Sequence, residues 1–166
     1  MRLEATVIAA PIGPLTLVAG ARGLCIVEFG DDVERARTRL AARFGALDWA
    51  ESADPAGAAS ALRRYFAGEL DALDALTVDP GGTPFQQQVW LTLRRIRAGT
   101  TWSYAELARA VERPRAVRAV GTANGANPLA LVLPCHRVIG ADGRLTGYGG
   151  GLDRKAWLLR HEGALL

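Results

Sequence analysis

The chain has 166 residues, 49% apolar and 22% charged, with a net charge of +3, a balance that gives an ordinary globular protein and excludes a disordered segment. No apolar run approaches the roughly 18–20 residues a membrane span needs, and Met1-Arg2-Leu3-Glu4-Ala5-Thr6 alternates like a strand instead of opening a signal peptide, so a cytoplasmic location is expected. The two cysteines, Cys25 and Cys135, stand far apart and the only histidines are His136 and His161, which leaves no disulfide framework and too few ligands for a structural metal.

Residues 3–9 and 15–19 alternate around the turn Pro11-Ile12-Gly13-Pro14, and Leu24 to Phe29 follows Gly20-Ala21-Arg22-Gly23. These are three strands of an antiparallel meander. Asp31 and Glu34 have capping-box spacing for a helix that reaches about Phe44. Asp54-Pro55 opens a second helix, with Leu62, Tyr65 and Phe66 on its apolar side. Asp71 to Gly82 is a loop ending in Pro80-Gly81-Gly82, a linker between an N-terminal lobe (1–79) and a C-terminal domain (80–166).

The second half reads as mostly helical. Thr83-Pro84-Phe85-Gln86 combines a capping box with a proline at the first helical position, and Phe85, Val89, Leu93 and Ile96 mark one face. Ser103 and Glu106 cap a helix from Tyr104 to about Val111; Glu112-Arg113 is a turn, and Pro114 begins a helix to about Ala123. Two short helices joined by a tight turn, the second holding Arg115 and Arg118, fit a helix-turn-helix, although a plain helical hairpin with solvated arginines has the same pattern. Asp153 caps the last helix and Gly163 ends it. The fold class expected is α+β: a small antiparallel sheet with helices, then a mostly helical lobe with the helix-turn-helix.

Charge is segregated along the chain. Residues 1–84 carry eight arginines and twelve acids, net −4, and residues 85–166 carry eleven arginines, one lysine and five acids, net +7. Solvated charge scattered by chance and a face for a polyanion are both open on that count. Cys135, in Leu133-Pro134-Cys135-His136-Arg137-Val138, has a similar pair of readings. A free cysteine is commonly an inert core residue, but an imidazole and a guanidinium follow it directly and favour a thiolate, and the apolar run before it would form a strand that holds the loop. Glu162, in Arg160-His161-Glu162-Gly163, is either a solvated charge or the carboxylate that orients His136 as a base for Cys135.

Together these segments resemble the O6-alkylguanine-DNA alkyltransferases. The resemblance runs through Thr-Pro-Phe-Gln-Gln-Gln-Val-Trp (83–90), Thr-Trp-Ser-Tyr (101–104), Arg-Ala-Val-Gly (118–121), Asn127-Pro128, Pro-Cys-His-Arg-Val-Ile-Gly (134–140), Gly-Tyr-Gly-Gly-Gly-Leu (147–152) and Leu-Leu-Arg-His-Glu-Gly (158–163). It implies repair of DNA by a single, irreversible transfer of the alkyl group of O6-alkylguanine, and of O4-alkylthymine, to Cys135, with the nucleotide flipped out of the duplex and no cofactor. It further implies a monomer that binds double-stranded DNA through the minor groove.

The same resemblance implies roles for single residues. His136 is the base that reaches the thiol through a water, Glu162 orients it, and Asn127 braces the turn between recognition helix and active site. Tyr104 helps rotate the nucleotide and protonates guanine N3. Arg118 fills the gap in the base stack, with Ala119, Ala123 and Gly125 on the same groove-facing helix. Tyr148 and the Gly149 backbone form a lid over the base, and the Cys135 and Val138 carbonyls accept from its amino group. Ala130 and Trp90 complete the pocket. Against the family's pattern, Gly149 stands where many members have a side chain, Ala130 where some have a proline, and Asn124-Gly125 where larger residues can occur. Three other classes bear on the same residues: a non-catalytic damage sensor, which would lack the acceptor cysteine; a cysteine hydrolase; and a sequence-specific transcription factor, which would leave Pro-Cys-His-Arg unexplained.

Overall fold

Alternating apolar residues in the first thirty positions pair as strands because each then buries one face. In a computed structural model, which describes residues 1–165, β1 (Arg2–Ile8), β2 (Leu15–Gly20) and β3 (Gly23–Phe29) form the expected meander. Registers run Glu4↔Ala19 to Ile8↔Leu15 and Leu15↔Phe29 to Gly20↔Gly23. A fourth strand, β4 (Asp48–Glu51), adds parallel to β1, so the order is β3-β2-β1-β4 and the sheet is mixed, not purely antiparallel. Four half-exposed residues carry too little alternation to be read as a strand in isolation.

The helix α1 (Val33–Phe44) lays Ala36 and Leu40 on the sheet residues Leu3, Val18 and Ile26. Its cap is Asp32, not Asp31: the Asp32 carboxylate accepts from the Arg35 amide at 3.0 Å, and Glu34 pairs with Arg37 at 3.1 Å. After Asp54 the chain makes a 3-10 turn, Pro55–Gly57, before α2 (Ala58–Phe66), and Asp54 accepts from both the amide and hydroxyl of Ser60. Leu62 and Tyr65 are buried, while Phe66 is only half-buried. These elements form one compact unit, Met1–Pro80, and the residues from Gly81 onward form a second.

In the second unit α3 (Pro84–Thr92) opens on a complete capping box, with Thr83 and Gln86 each accepting the other's backbone N–H, worth about 1 kcal/mol. A 3-10 turn, Leu93–Arg95, closes it. The helix α4 (Tyr104–Ala110) has the same device in Ser103 and Glu106. Glu112 then turns the chain in the left-handed region at φ 60, and α5 (Val117–Gly125) begins three residues later than Pro114 and ends beyond Ala123. Pro114 sits in the turn instead, where the Arg113 amide closes back on the Ala108 carbonyl at 2.9 Å. The last helix, α6 (Leu152–His161), starts from Gly151 at φ 92; Asp153 makes no capping bond and only places negative charge near the positive helix end. Strands β5 (Trp102–Ser103) and β6 (Val138–Ile139) pair in parallel, a link not expected from sequence. Among the described residues no helix is long and apolar enough to cross a membrane.

Candidate active site

The turn that carries Cys135 is built from side-chain amides. Past the end of α5, Asn127 accepts from the Leu129 amide at 2.9 Å and donates to the Leu133 carbonyl at 2.7 Å, closing residues 127–133 into a loop. That segment is not the expected strand. Its apolar residues all point into the core, which requires turns, and Leu131 adopts φ 68 within them, a costly conformation for a branched side chain. Cys135 then donates its amide to the Leu133 carbonyl at 2.7 Å and starts a 3-10 turn, Cys135–Arg137, closed by the Val138 amide on the Cys135 carbonyl. From there β6 pairs with β5, whose next residue is Tyr104.

Burial pushes the Cys135 thiol up; a hydrogen bond from Asn127 and the charge of Lys155 oppose this only in part. The proton is therefore held on sulfur at neutral pH, and a base is needed. The guanidinium that follows in sequence does not face the thiol. Arg137 instead donates from Nε to Glu162 Oε1 and from Nη2 to Glu162 Oε2, each at 2.9 Å, and from Nη1 to the Ile96 carbonyl at 2.6 Å.

His136 is fully buried, with Nε2 2.9 Å from Glu162 Oε2 and Nδ1 without a hydrogen-bond partner among the described residues. Burial depresses the imidazole, outweighing the opposing pull of Glu162, so the ring is neutral and ready to accept a proton. For Glu162 burial alone would raise the carboxyl, but hydrogen bonds from His136 and Arg137 hold it well below the usual carboxylate range. Gly99, at φ 88, lets the end of α6 approach: a Cβ there would lie 3.1 Å from the Glu162 carbonyl.

The remaining residues expected at the site fall around this centre. Tyr104 packs its ring by Gly121 of α5, and its hydroxyl donates to the Thr146 carbonyl at 3.4 Å. Arg118, Ala119 and Gly125 are exposed on α5, beside an open groove of about 710 Å³ lined by Thr83, Phe85, Arg115, Arg118, Ala119 and Thr122. Ala123 is buried, and its carbonyl accepts the Trp90 indole N–H at 2.7 Å. Trp90 thus props α5 from beneath, against Gly82, where any Cβ would collide with the ring at 2.6 Å. Ala130 and Val138 are buried, Tyr148 is half-buried and Gly149 is exposed.

Sequence reasoning missed the roles of two residues and gave a third the wrong partner. Lys155, fully buried on α6, donates Nζ to the carbonyls of Val138 at 2.7 Å, Thr146 at 2.8 Å and Gly147 at 3.5 Å. Burial pushes its pKa down to about 8, against the charge of Cys135. Its signal was available: it is the single lysine among twenty basic residues. Asn124, buried on α5, reaches the Cys135 carbonyl with Nδ2 at 3.4 Å. Arg137 was read as company for the thiol and not as a partner of Glu162. Among the described residues no group of three His, Cys, Asp or Glu side chains is placed to hold a metal ion.

Comparison with known proteins matches both units. Residues 3–80 match the ribonuclease-like domain of 6-O-methylguanine DNA methyltransferase, and residues 84–164 match its DNA-binding domain. The chain is 46% identical over 169 residues to the methylated-DNA–protein-cysteine methyltransferase of Shigella flexneri, covering 100% of this chain and 99% of the relative. It superposes on the crystal structure of Mycobacterium tuberculosis O6-methylguanine methyltransferase with a TM-score of 0.80 at 43% identity, covering 99% of this chain and 94% of that one. The same mycobacterial protein in complex with DNA gives a TM-score of 0.78 at 43% identity, with the same coverage. With both family domains matched in order along nearly its whole length, the chain belongs to the O6-alkylguanine-DNA alkyltransferase family.

Proposed function

We propose that the protein repairs alkylated DNA by moving the alkyl group of O6-alkylguanine, and of O4-alkylthymine, onto Cys135, once per molecule. The observation that carries this is that Cys135, His136 and Glu162 are all buried, with the histidine's Nε2 on the carboxylate and its Nδ1 without a hydrogen-bond partner among the described residues. The relatives' names specify methylated DNA and a protein cysteine, and one of them has been crystallised with DNA.

The exposed face of α5 enters the minor groove, where shape and phosphates matter more than sequence. The target nucleotide swings out of the stack at a cost of a few kcal/mol; Arg118 offsets part of that cost by occupying the space left behind. His136 takes the thiol proton through a water, and the sulfur attacks the alkyl carbon in line as the bond to O6 breaks. Negative charge then develops on the guanine ring, and Tyr104 neutralises it by protonating N3. Tyr148 and the Gly149 backbone cover the base. The thioether has no route back to a thiol, so each molecule acts once, as a monomer, with no cofactor.

The test is intact and peptide mass after incubation with an oligonucleotide containing O6-methylguanine. One methyl group is expected on the peptide holding Cys135, none in Cys135→Ala, and one equivalent at most. Methylation of Cys25, or turnover beyond one equivalent, contradicts the proposal.

A further inference from the structure

The reaction as described leaves Arg137 without a task, yet this side chain is buried and makes three charge-assisted hydrogen bonds within one small cluster. Two of them engage both oxygens of Glu162, and one of those oxygens, Oε2, is also the partner of His136. We propose that Arg137 is a positioning residue that keeps Glu162 a hydrogen-bond acceptor and thereby holds His136 in the tautomer whose Nδ1 lone pair is free for the proton of Cys135. The proposal rests on Cys135 being the alkyl acceptor.

A bond between an imidazole and a carboxyl group can form in two ways. An ionised carboxylate accepts from Nε2–H, which leaves Nδ1 bare. A neutral carboxylic acid donates to a bare Nε2, and the ring's one proton then sits on Nδ1. Only the first arrangement makes His136 a base toward the thiol. Burial favours the second, since it penalises the charged carboxylate. Among the described residues, the groups whose charge acts on this pair are Arg137 and Lys155, besides the two partners themselves. Arg137 and His136 come from the Cys135–Arg137 turn, and Lys155 on α6 is the other cation whose charge acts on the imidazole. Lys155 commits its ammonium to the carbonyls of Val138, Thr146 and Gly147. The permanently charged guanidinium is therefore the group that holds Glu162 ionised, and its anchor on the carbonyl of Ile96, just past the 3-10 turn that follows α3, fixes it in place.

The proton balance follows. The thiol proton moves to Nδ1, Nε2–H stays on the ring, and the resulting imidazolium lies against a carboxylate that is already ionised. A sulfur lone pair forms the new S–C bond, and the electron pair of the broken C–O6 bond leaves with the guanine.

The chain has only two histidines, so long-range proton–nitrogen NMR of full-length protein labelled at histidine nitrogen reads the tautomer directly. Wild type is expected as Nε2–H at pH 7. Arg137→Met and the polar isostere Arg137→Gln should change to Nδ1–H and lose transfer by roughly 100-fold, then regain both as pH rises and Glu162 ionises. Arg137→Lys, which restores charge without the fork, should keep the wild-type tautomer and most of the rate. A wild-type ring protonated on Nδ1, or neutral variants that keep Nε2–H at pH 7, would overturn the proposal. So would equal losses for Lys, Met and Gln that no change of pH relieves. Failure to methylate Cys135 in the wild type would instead sink the repair reading itself and leave the tautomer result standing.

Discussion

His136 and Glu162 meet with Nε2 2.9 Å from Oε2, and neither side chain is exposed to solvent. Burial depresses the imidazole despite this contact, and Glu162 is held below the usual carboxylate range by its two partners. Both groups bind protons more weakly in the folded chain than in the unfolded one. Their stabilisation is therefore complete above their unfolded values, about 6.5 and about 4.3, and is lost as pH falls through the folded ones. Urea midpoints should fall between pH 7.5 and pH 5.5, where His136 dominates, and the fall should be smaller in His136→Gln. An identical slope in that variant would assign the acid sensitivity elsewhere.

Arg118→Ala should slow repair of duplex DNA far more than reaction with a free O6-alkylguanine base. Arg118 is exposed on α5, and its proposed work is to hold a flipped nucleotide. Losing it returns a cost of a few kcal/mol, and each 1.4 kcal/mol or so is about tenfold in rate. Glu162→Gln should slow both substrates, since it acts on the thiol through His136. Single-turnover rates on both substrates separate the two effects; equal losses for Arg118→Ala would remove it from the flipping step.

Binding to undamaged duplex should weaken steeply with salt, because the half of the chain from residue 85 on carries a net charge of +7 and phosphate contacts release counterions. Titrations at 50 and 200 mM salt measure the slope, and a flat response would contradict docking through phosphates.

Lys155→Met should change how stability depends on alkali. The folded pKa of Lys155 is about 8, against an ordinary 10.5, so the folded chain binds fewer protons than the unfolded one between those values. Wild type should gain on the variant by up to about 3 kcal/mol as pH rises through that window. Denaturant melts of both proteins at pH 7.5 and pH 10 test this, a constant difference being the contrary result. The variant should also transfer alkyl groups more slowly, because the Thr146–Gly147 segment loses its tether to Val138.

Glu112→Gly should stabilise the second unit by about 1 kcal/mol. Glu112 sits at φ 60 in the turn between α4 and α5, where a Cβ is strained and glycine is not. Thermal melts decide the sign, and Glu112→Ala, which keeps the Cβ, should bring no gain.

Local signals in the sequence determined much of the molecule. The meander, both capping boxes and the Pro-Cys-His-Arg segment were legible because each depends on neighbours within a few residues, where side chain and backbone spacing dictate geometry. Boundaries that depend on distant packing were not. Asp32 displaced Asp31 as a cap, Pro114 fell in a turn, and β4 existed only because β1 offered an edge. At the site, sequence named Cys135, His136 and Glu162 but placed the positive charge of Arg137 on the thiol. Adjacent side chains on a 3-10 turn diverge, so Arg137 points to Ile96 and Glu162, partners 41 and 25 residues away. Lys155 and Asn124 act on backbone carbonyls, which carry no residue identity for a sequence pattern to record. Which groups meet in a buried cluster is decided by the packing of α5, α6 and the Cys135 turn, because desolvation forces each buried polar atom to find a partner wherever the fold provides one.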